Sequence, residues 1–163
     1  MGIFKIIITI AGVIFWIILL PVIIALFSFK IIPIPFDTTE LAGIGVVVGI
    51  IGLLISSWAV IVQITIGKGT PVPLLGPQKL IVTGPYRFCR NPMTLGLTMY
   101  YTGAGIIINH GIAAALLLAV VLFHILYDAF FEEKELVRKF GSDYIHYKTT
   151  TPFILPKIKL YKK

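Results

Sequence analysis

Apolar residues fill this chain in four long blocks, Ile6 to Phe29, Leu41 to Ile64, Pro92 to Ile108 and Ile112 to Phe131, and polar residues gather in the gaps between them. A helix needs roughly 20 apolar residues to cross the hydrocarbon core of a bilayer, so each block predicts one membrane span. The predicted fold is an all-α integral membrane protein of four transmembrane helices, one domain over residues 1–163. Residues 65–91 form a connector and residues 132–163 a tail. Only Asn109-His110-Gly111 separates the last two blocks, with the polarity and the glycine of a tight turn, which predicts an antiparallel helical hairpin.

The gaps also predict an orientation. The loop between the first two blocks holds Pro33-Ile34-Pro35 and Asp37 to Glu40, with Lys30 its only basic neighbour. Lys5, then Lys68, Lys79, Arg87 and Arg90 of the connector, then the tail from Lys134 to Lys163 lie on the opposite side. The positive-inside rule makes that side, and both termini, cytosolic. The first block exceeds a signal-peptide core and ends in Phe27-Ser28-Phe29-Lys30 without a small-residue cleavage site, so it is expected to remain as an anchor. The connector is apolar yet broken by Pro71, Pro73, Gly76, Pro77, Gly84 and Pro85, which suits packing at the membrane surface. Gly45 and Gly49 with Gly52, and Gly96 with Gly103, are small-residue patterns for close helix packing within the chain or for a homodimer contact.

Composition agrees with this reading. Hydrophobic residues make up 58% of the chain, above the roughly half usual in soluble proteins. The single cysteine, Cys89, excludes an internal disulfide and a multi-cysteine metal site. The net charge of +7 sits beside apolar spans, where anionic lipid headgroups and topology account for it without nucleic acid.

Ionisable residues near a span are costly and point to function. His124, Asp128 and Glu132 recur at i, i+4 and i+8, one face of the fourth block. A cofactor pocket, a metal site and a polar helix end with Glu133 and Glu135 all fit such a stripe. No second His or carboxylate group on the other spans completes a coordination sphere, so no metal is expected. A second cluster, Gly84-Pro85-Tyr86-Arg87-Phe88-Cys89-Arg90-Asn91-Pro92, leads into the third block. Its arginines and the helix start suit either an anionic group or lipid headgroups.

Thr83-Gly84-Pro85-Tyr86-Arg87, Arg90-Asn91-Pro92-Met93-Thr94-Leu95-Gly96, Glu132-Glu133, Phe140-Gly141-Ser142-Asp143-Tyr144 with Tyr147, and Pro152 to Pro156 together resemble, in order and spacing, the isoprenylcysteine carboxyl methyltransferases and the related phospholipid methyltransferases. The resemblance implies methyl transfer from S-adenosylmethionine to a lipophilic or prenylated acceptor that enters from the bilayer. It implies a cytosolic cofactor site of Gln78, Lys79, Leu80, Ile81, Tyr86, Arg90, Asn91, Pro92, Met93, Thr94 and Glu132, with Asp128 and His124 on the acceptor side and the tail as cover. Asn91 replaces the His of the eukaryotic carboxyl methyltransferases, Thr94 their usual Tyr, and Asp128 the Arg one turn before the binding Glu. An acidic group there repels a prenylcysteine carboxylate and attracts an amine, so lipid-amine N-methylation is the alternative. Sterol-type membrane reductases that use NADPH, and a non-enzymatic membrane subunit, are more distant alternatives.

Overall fold

The first apolar block is helical, but not uniformly α-helical. In the computed structural model, which describes residues 3–31, 37–70 and 76–156, α1 (Ile3–Ile14) passes through a five-residue π segment (Phe15–Leu19) into α2 (Leu20–Ile31). A π turn disturbs the i→i+4 ladder and frees carbonyls that must find other donors. The carbonyl of Trp16 accepts from the Tyr101 hydroxyl at 2.7 Å, and that of Ile17 from the Tyr100 hydroxyl.

A single short turn (Thr39–Leu41) leads into α3 (Ala42–Thr65), which covers the second block. The third block is α4 (Pro92–Ile108), opened by a proline whose missing N–H costs nothing at the first helical position. The fourth begins as α5 (Gly111–Tyr127), widens into a second π segment (Asp128–Glu132) and continues as α6 (Glu133–Phe140). The helix thus outruns its predicted end at Phe131: residues 133–140 are mostly good helix formers, and Gly141, at φ +56°, supplies the break. Beyond it lies α7 (Ser142–Thr150). All regular structure among the described residues is helical. Residues 32–36, Pro71, Pro73 and residues 157–163, about which the sequence also raises expectations, lie outside the described residues.

Three helical stretches are long and apolar enough to cross a membrane: Ile7–Ile31, Thr39–Thr65 and Gly111–Phe140. Their outer faces carry side chains such as Leu54 and Phe131, each 66% exposed, as suits a surface solvated by lipid tails. At about 1.5 Å per residue, the 17 residues of α4 reach roughly 25 Å, somewhat less than the roughly 30 Å core. This helix is the centre of the bundle.

Glycine explains how α4 gets there. A Cβ built on Gly52 would stand 2.5 Å from the carbonyl oxygen of Gly96, and one on Gly45 would stand 3.1 Å from that of Gly103. The two glycine patterns therefore pack against each other within the chain, with backbone on backbone. On its other side α4 meets α2 and α5 through Ile24, Leu97, Tyr101, Ala113, Leu117 and Val121. Asn109, in the left-handed conformation at φ +54°, ends α4. Its Oδ1 accepts from Thr38 N (2.7 Å) and Oγ1 (2.9 Å), which ties the start of α3 to the end of α4. The connector closes the opposite end: Gly67 O accepts from Gln78 N (2.7 Å) and Lys79 N (3.2 Å), folding the chain back over the end of α3.

Candidate active site

At the connector end of the bundle, α1, the first π segment, α3, α4, α5 and α6 surround a cavity of about 670 Å³. Much of its lining is apolar, including Ile8, Gly12, Trp16, Leu97 and Phe123. Its polar lining includes Ser56 and Gln63 of α3, Thr94 of α4, His124 of α5, Asp128 and Glu132 of the second π segment, and Glu135 and Lys139 of α6. A π turn at a functional cleft is a recurring device because it re-aims side chains that a regular helix would hold in a straight row.

The acidic residues are held by bonds across the bundle. Thr94 donates its hydroxyl hydrogen to Asp128 Oδ2 at 2.5 Å, and the Asp128 and Glu132 side chains are within hydrogen-bond reach of each other. Asp128 is 5% exposed. One turn earlier, His124 Nδ1 lies 2.9 Å from the carbonyl of Val120, an acceptor only, which makes Nδ1 the donor there and, in the neutral ring, Nε2 the acceptor. The ring stands edge-on to Trp16, with centroids 4.6 Å apart. The first π segment thus helps to position the histidine of the last long helix.

A chamber of about 40 Å³ adjoins the cavity and shares Gln63, Pro77, Glu132 and Leu136 with it. Leu80, Ile81, Tyr86 and Phe140 complete its wall. Gln63 is buried between the two spaces: its Nε2 donates to Thr70 O at 3.0 Å, and the Tyr86 hydroxyl approaches its Oε1 at 3.5 Å. Burial, and then the charge of Glu132, push the Tyr86 phenol well above the ordinary tyrosine range, so it stays a neutral donor.

Of the residues singled out in the sequence, the fold gathers Met93, Thr94, His124, Asp128 and Glu132 on the cavity and Leu80, Ile81 and Tyr86 on the adjoining chamber. Gln78 and Lys79 are exposed and meet the bundle through their backbone. Arg90 and Asn91 face the tail: Arg90 N donates to Pro152 O (2.9 Å), Arg90 Nε to Thr151 O (3.1 Å), and Asn91 N and Nδ2 to Phe153 O (3.1 and 3.2 Å). Pro92 is buried at the head of α4. The donors at this helix start, which could have met an anion, hold the protein's own carbonyls.

Sequence reading passed over Ser56, Gln63 and Trp16, and gave Glu133 no site role. Gln63 carried a signal, being a buried amide at the end of an apolar span. Trp16 carried none, since an aromatic residue in an apolar run is unremarkable. Glu133, grouped with the charged extension, is only 7% exposed.

Three helices long and apolar enough to cross a membrane, packed around a cavity lined by both polar and apolar side chains, define an integral membrane protein. The particular family follows from comparison: the family model described as phospholipid methyltransferase matches residues 41–143, and the chain belongs to that family, one of membrane methyltransferases. That range runs from α3 to the start of α7 and contains most of the polar lining. Searches of curated proteins and of solved structures found no significant match.

Proposed function

We propose that this protein transfers a methyl group from S-adenosylmethionine to a lipid acceptor inside this cavity, and that the acceptor presents an amine. The observation that carries the reading is the carboxyl pair Asp128 and Glu132, anchored by Thr94, on the wall of a cavity lined largely by apolar side chains. Of the three positions at which the chain departs from the carboxyl methyltransferase pattern, Thr94 and Asp128 bond to each other. An acidic group there favours a cationic or amine headgroup over a carboxylate. Prenylcysteine, the carboxylate alternative, requires that Asp128 be turned away or neutralised.

The cavity volume lies within the roughly 300–1,000 Å³ of small-molecule sites, and its acidic residues suit a donor that carries positive charge. Met93, Thr94 and Glu132, with Tyr86, Leu80 and Ile81 behind them, would hold the donor, which supplies an already activated methyl group. The protein's own work is then to align donor and acceptor, and good positioning alone contributes several kcal/mol. If the amine arrives protonated, Asp128 or His124 Nε2 accepts the proton. The tail of the acceptor would enter between α1 and α5, where the cavity wall includes the exposed Phe15 and Phe123. A lipid gains roughly 0.8 kcal/mol per methylene by remaining in the bilayer, which favours this path. In this reading α4 is a fourth, shorter crossing paired with α5 as an antiparallel hairpin, and the connector end faces the cytosol.

The test is labelled methyl transfer from S-adenosylmethionine into lipid extracts and into prenylcysteine analogues by purified protein in nanodiscs. Label in amine lipids alone is expected; label in prenylcysteine alone overturns the amine assignment, and label in neither overturns the function. Glu132→Ala should abolish calorimetric binding of S-adenosylhomocysteine with the fold retained. Thermal stabilisation by NADPH but not by S-adenosylhomocysteine would favour a reductase instead.

A further inference from the structure

Glu133 sits beside the cavity residue Glu132 but faces away from the cavity. A residue step of about 100° around the helix carries it to a different face, where it meets the tail. Its Oε1 accepts from Arg90 Nη1, and its Oε2 accepts from Lys148 Nζ at 2.5 Å. Arg90 belongs to the segment that opens α4, and Lys148 to α7, so one carboxylate joins three parts of the chain. The surrounding contacts make this a clamp. Arg90 and Asn91 hold the carbonyls of residues 151–153 as described above, the Arg90 guanidinium lies 5.5 Å from the Phe153 ring centroid, and the Tyr147 hydroxyl donates to Tyr86 O at 2.5 Å. Arg90 and Glu133 side chains are each 9% exposed, and Lys148 is 47% exposed. The inner pair is therefore shielded from solvent, and the outer one reachable by it.

We propose that Glu133 is a positioning residue of the methyl-transfer site, which with Arg90 and Lys148 clamps α7 and residues 151–153 to the start of α4 and so sets the place of Thr94 relative to Asp128 and Glu132. The proposal rests on the reading of the cavity as that site. Arg90 lies three residues before Met93, just ahead of α4, and Glu133 directly follows Glu132 on one continuous helical stretch. Loss of the Glu133 charge leaves Arg90 buried without its counter-ion and frees the first turn of α4 to shift. A displacement of about 1 Å in a reacting geometry costs up to roughly 100-fold in rate.

The experiment compares Glu133→Gln, Lys148→Met and Lys148→Arg with the wild type in nanodiscs. It measures amide hydrogen exchange over residues 90–95, calorimetric binding of S-adenosylhomocysteine, and KM and kcat for an amine lipid. Lys148→Met, altered on the exposed side, keeps the test usable if Glu133→Gln does not fold. Expected are faster exchange at residues 93–95 in Glu133→Gln and Lys148→Met, and acceptor KM raised about tenfold and about threefold respectively, more than the donor affinity falls. Lys148→Arg should restore both. Unchanged exchange, or unchanged acceptor KM and donor affinity, in a folded Glu133→Gln or Lys148→Met overturns the clamp. A wild type that binds no donor overturns instead the functional reading beneath it, while the exchange data still report on the clamp itself.

Discussion

Gly49 and Gly52 lie on the same helix, three residues apart, and the structure assigns them opposite behaviour on substitution by alanine. A Cβ at Gly52 would stand 2.5 Å from Gly96 O, 2.6 Å from Tyr100 N and 2.9 Å from Met99 Cβ, whereas at Gly49 it would meet nothing within 4 Å. Non-bonded heavy atoms rest about 3.5–4.0 Å apart, so Gly52→Ala forces α3 and α4 to separate by about 1 Å. Overpacking of this kind costs about 1–3 kcal/mol. The separation also strains the bond from Ser56 Oγ to Met93 O, 3.0 Å long at the edge of the cavity. Gly49→Ala meets no clash and gains up to about 1 kcal/mol of helix propensity. The two variants should therefore differ by about 1–4 kcal/mol, Gly49→Ala being the more stable. Equilibrium unfolding in mixed micelles with rising SDS, followed by circular dichroism, measures this difference. Equal midpoints, or a less stable Gly49→Ala, would refute the reasoning that backbone contact between α3 and α4 is what demands glycine. Donor affinity supplies a second check, since only Gly52→Ala should move Met93 and Thr94.

Three further outcomes follow from particular contacts. Tyr101→Phe removes the donor to the Trp16 carbonyl and should destabilise the fold by about 1–3 kcal/mol, the cost of an unpaired buried acceptor; an unchanged unfolding midpoint would show that the carbonyl finds another partner. Cys89 is 1% exposed, and burial pushes its thiol up to about 11. At pH 8 iodoacetamide should label it only after unfolding, because about one thiol in a thousand is ionised, so rapid labelling of the folded protein would contradict its placement. Burial first, and then the charge of Glu133, push the Tyr144 phenol up to about 12 from 10.0. The raised value means that its contribution to stability is complete below pH 10 and is lost as pH rises toward 12. Alkaline titration of the unfolding midpoint should show this fall, and Tyr144→Phe should make it shallower.

Much of the architecture was legible in the sequence because membrane helices are local structures. A run of apolar residues long enough to cross the bilayer must satisfy its own backbone hydrogen bonds, so composition and length alone place the first long helix, α3 and the long helix from Gly111. The stripe His124, Asp128 and Glu132 was equally readable, since helical spacing alone puts three ionisable groups on one face. Its neighbours were not. Whether Arg90 meets a ligand or a glutamate 43 residues away, and whether Asn91 faces a cavity or Phe153, depends on where the tail returns, and no local pattern encodes that return.

The same division runs through the rest of the protein. The order and identity of residues determined the spans, the family and the acidic face on which the functional reading depends. Only the tertiary structure decided that a Cβ on Gly52 would meet backbone while one on Gly49 would meet nothing, and that Thr94 bonds to Asp128. It also decided that Glu133 belongs to a clamp rather than to a solvated helix end. The reason is physical: propensity and hydropathy act along the chain, whereas close approach, burial and charge pairing act between segments that only the packed bundle brings together.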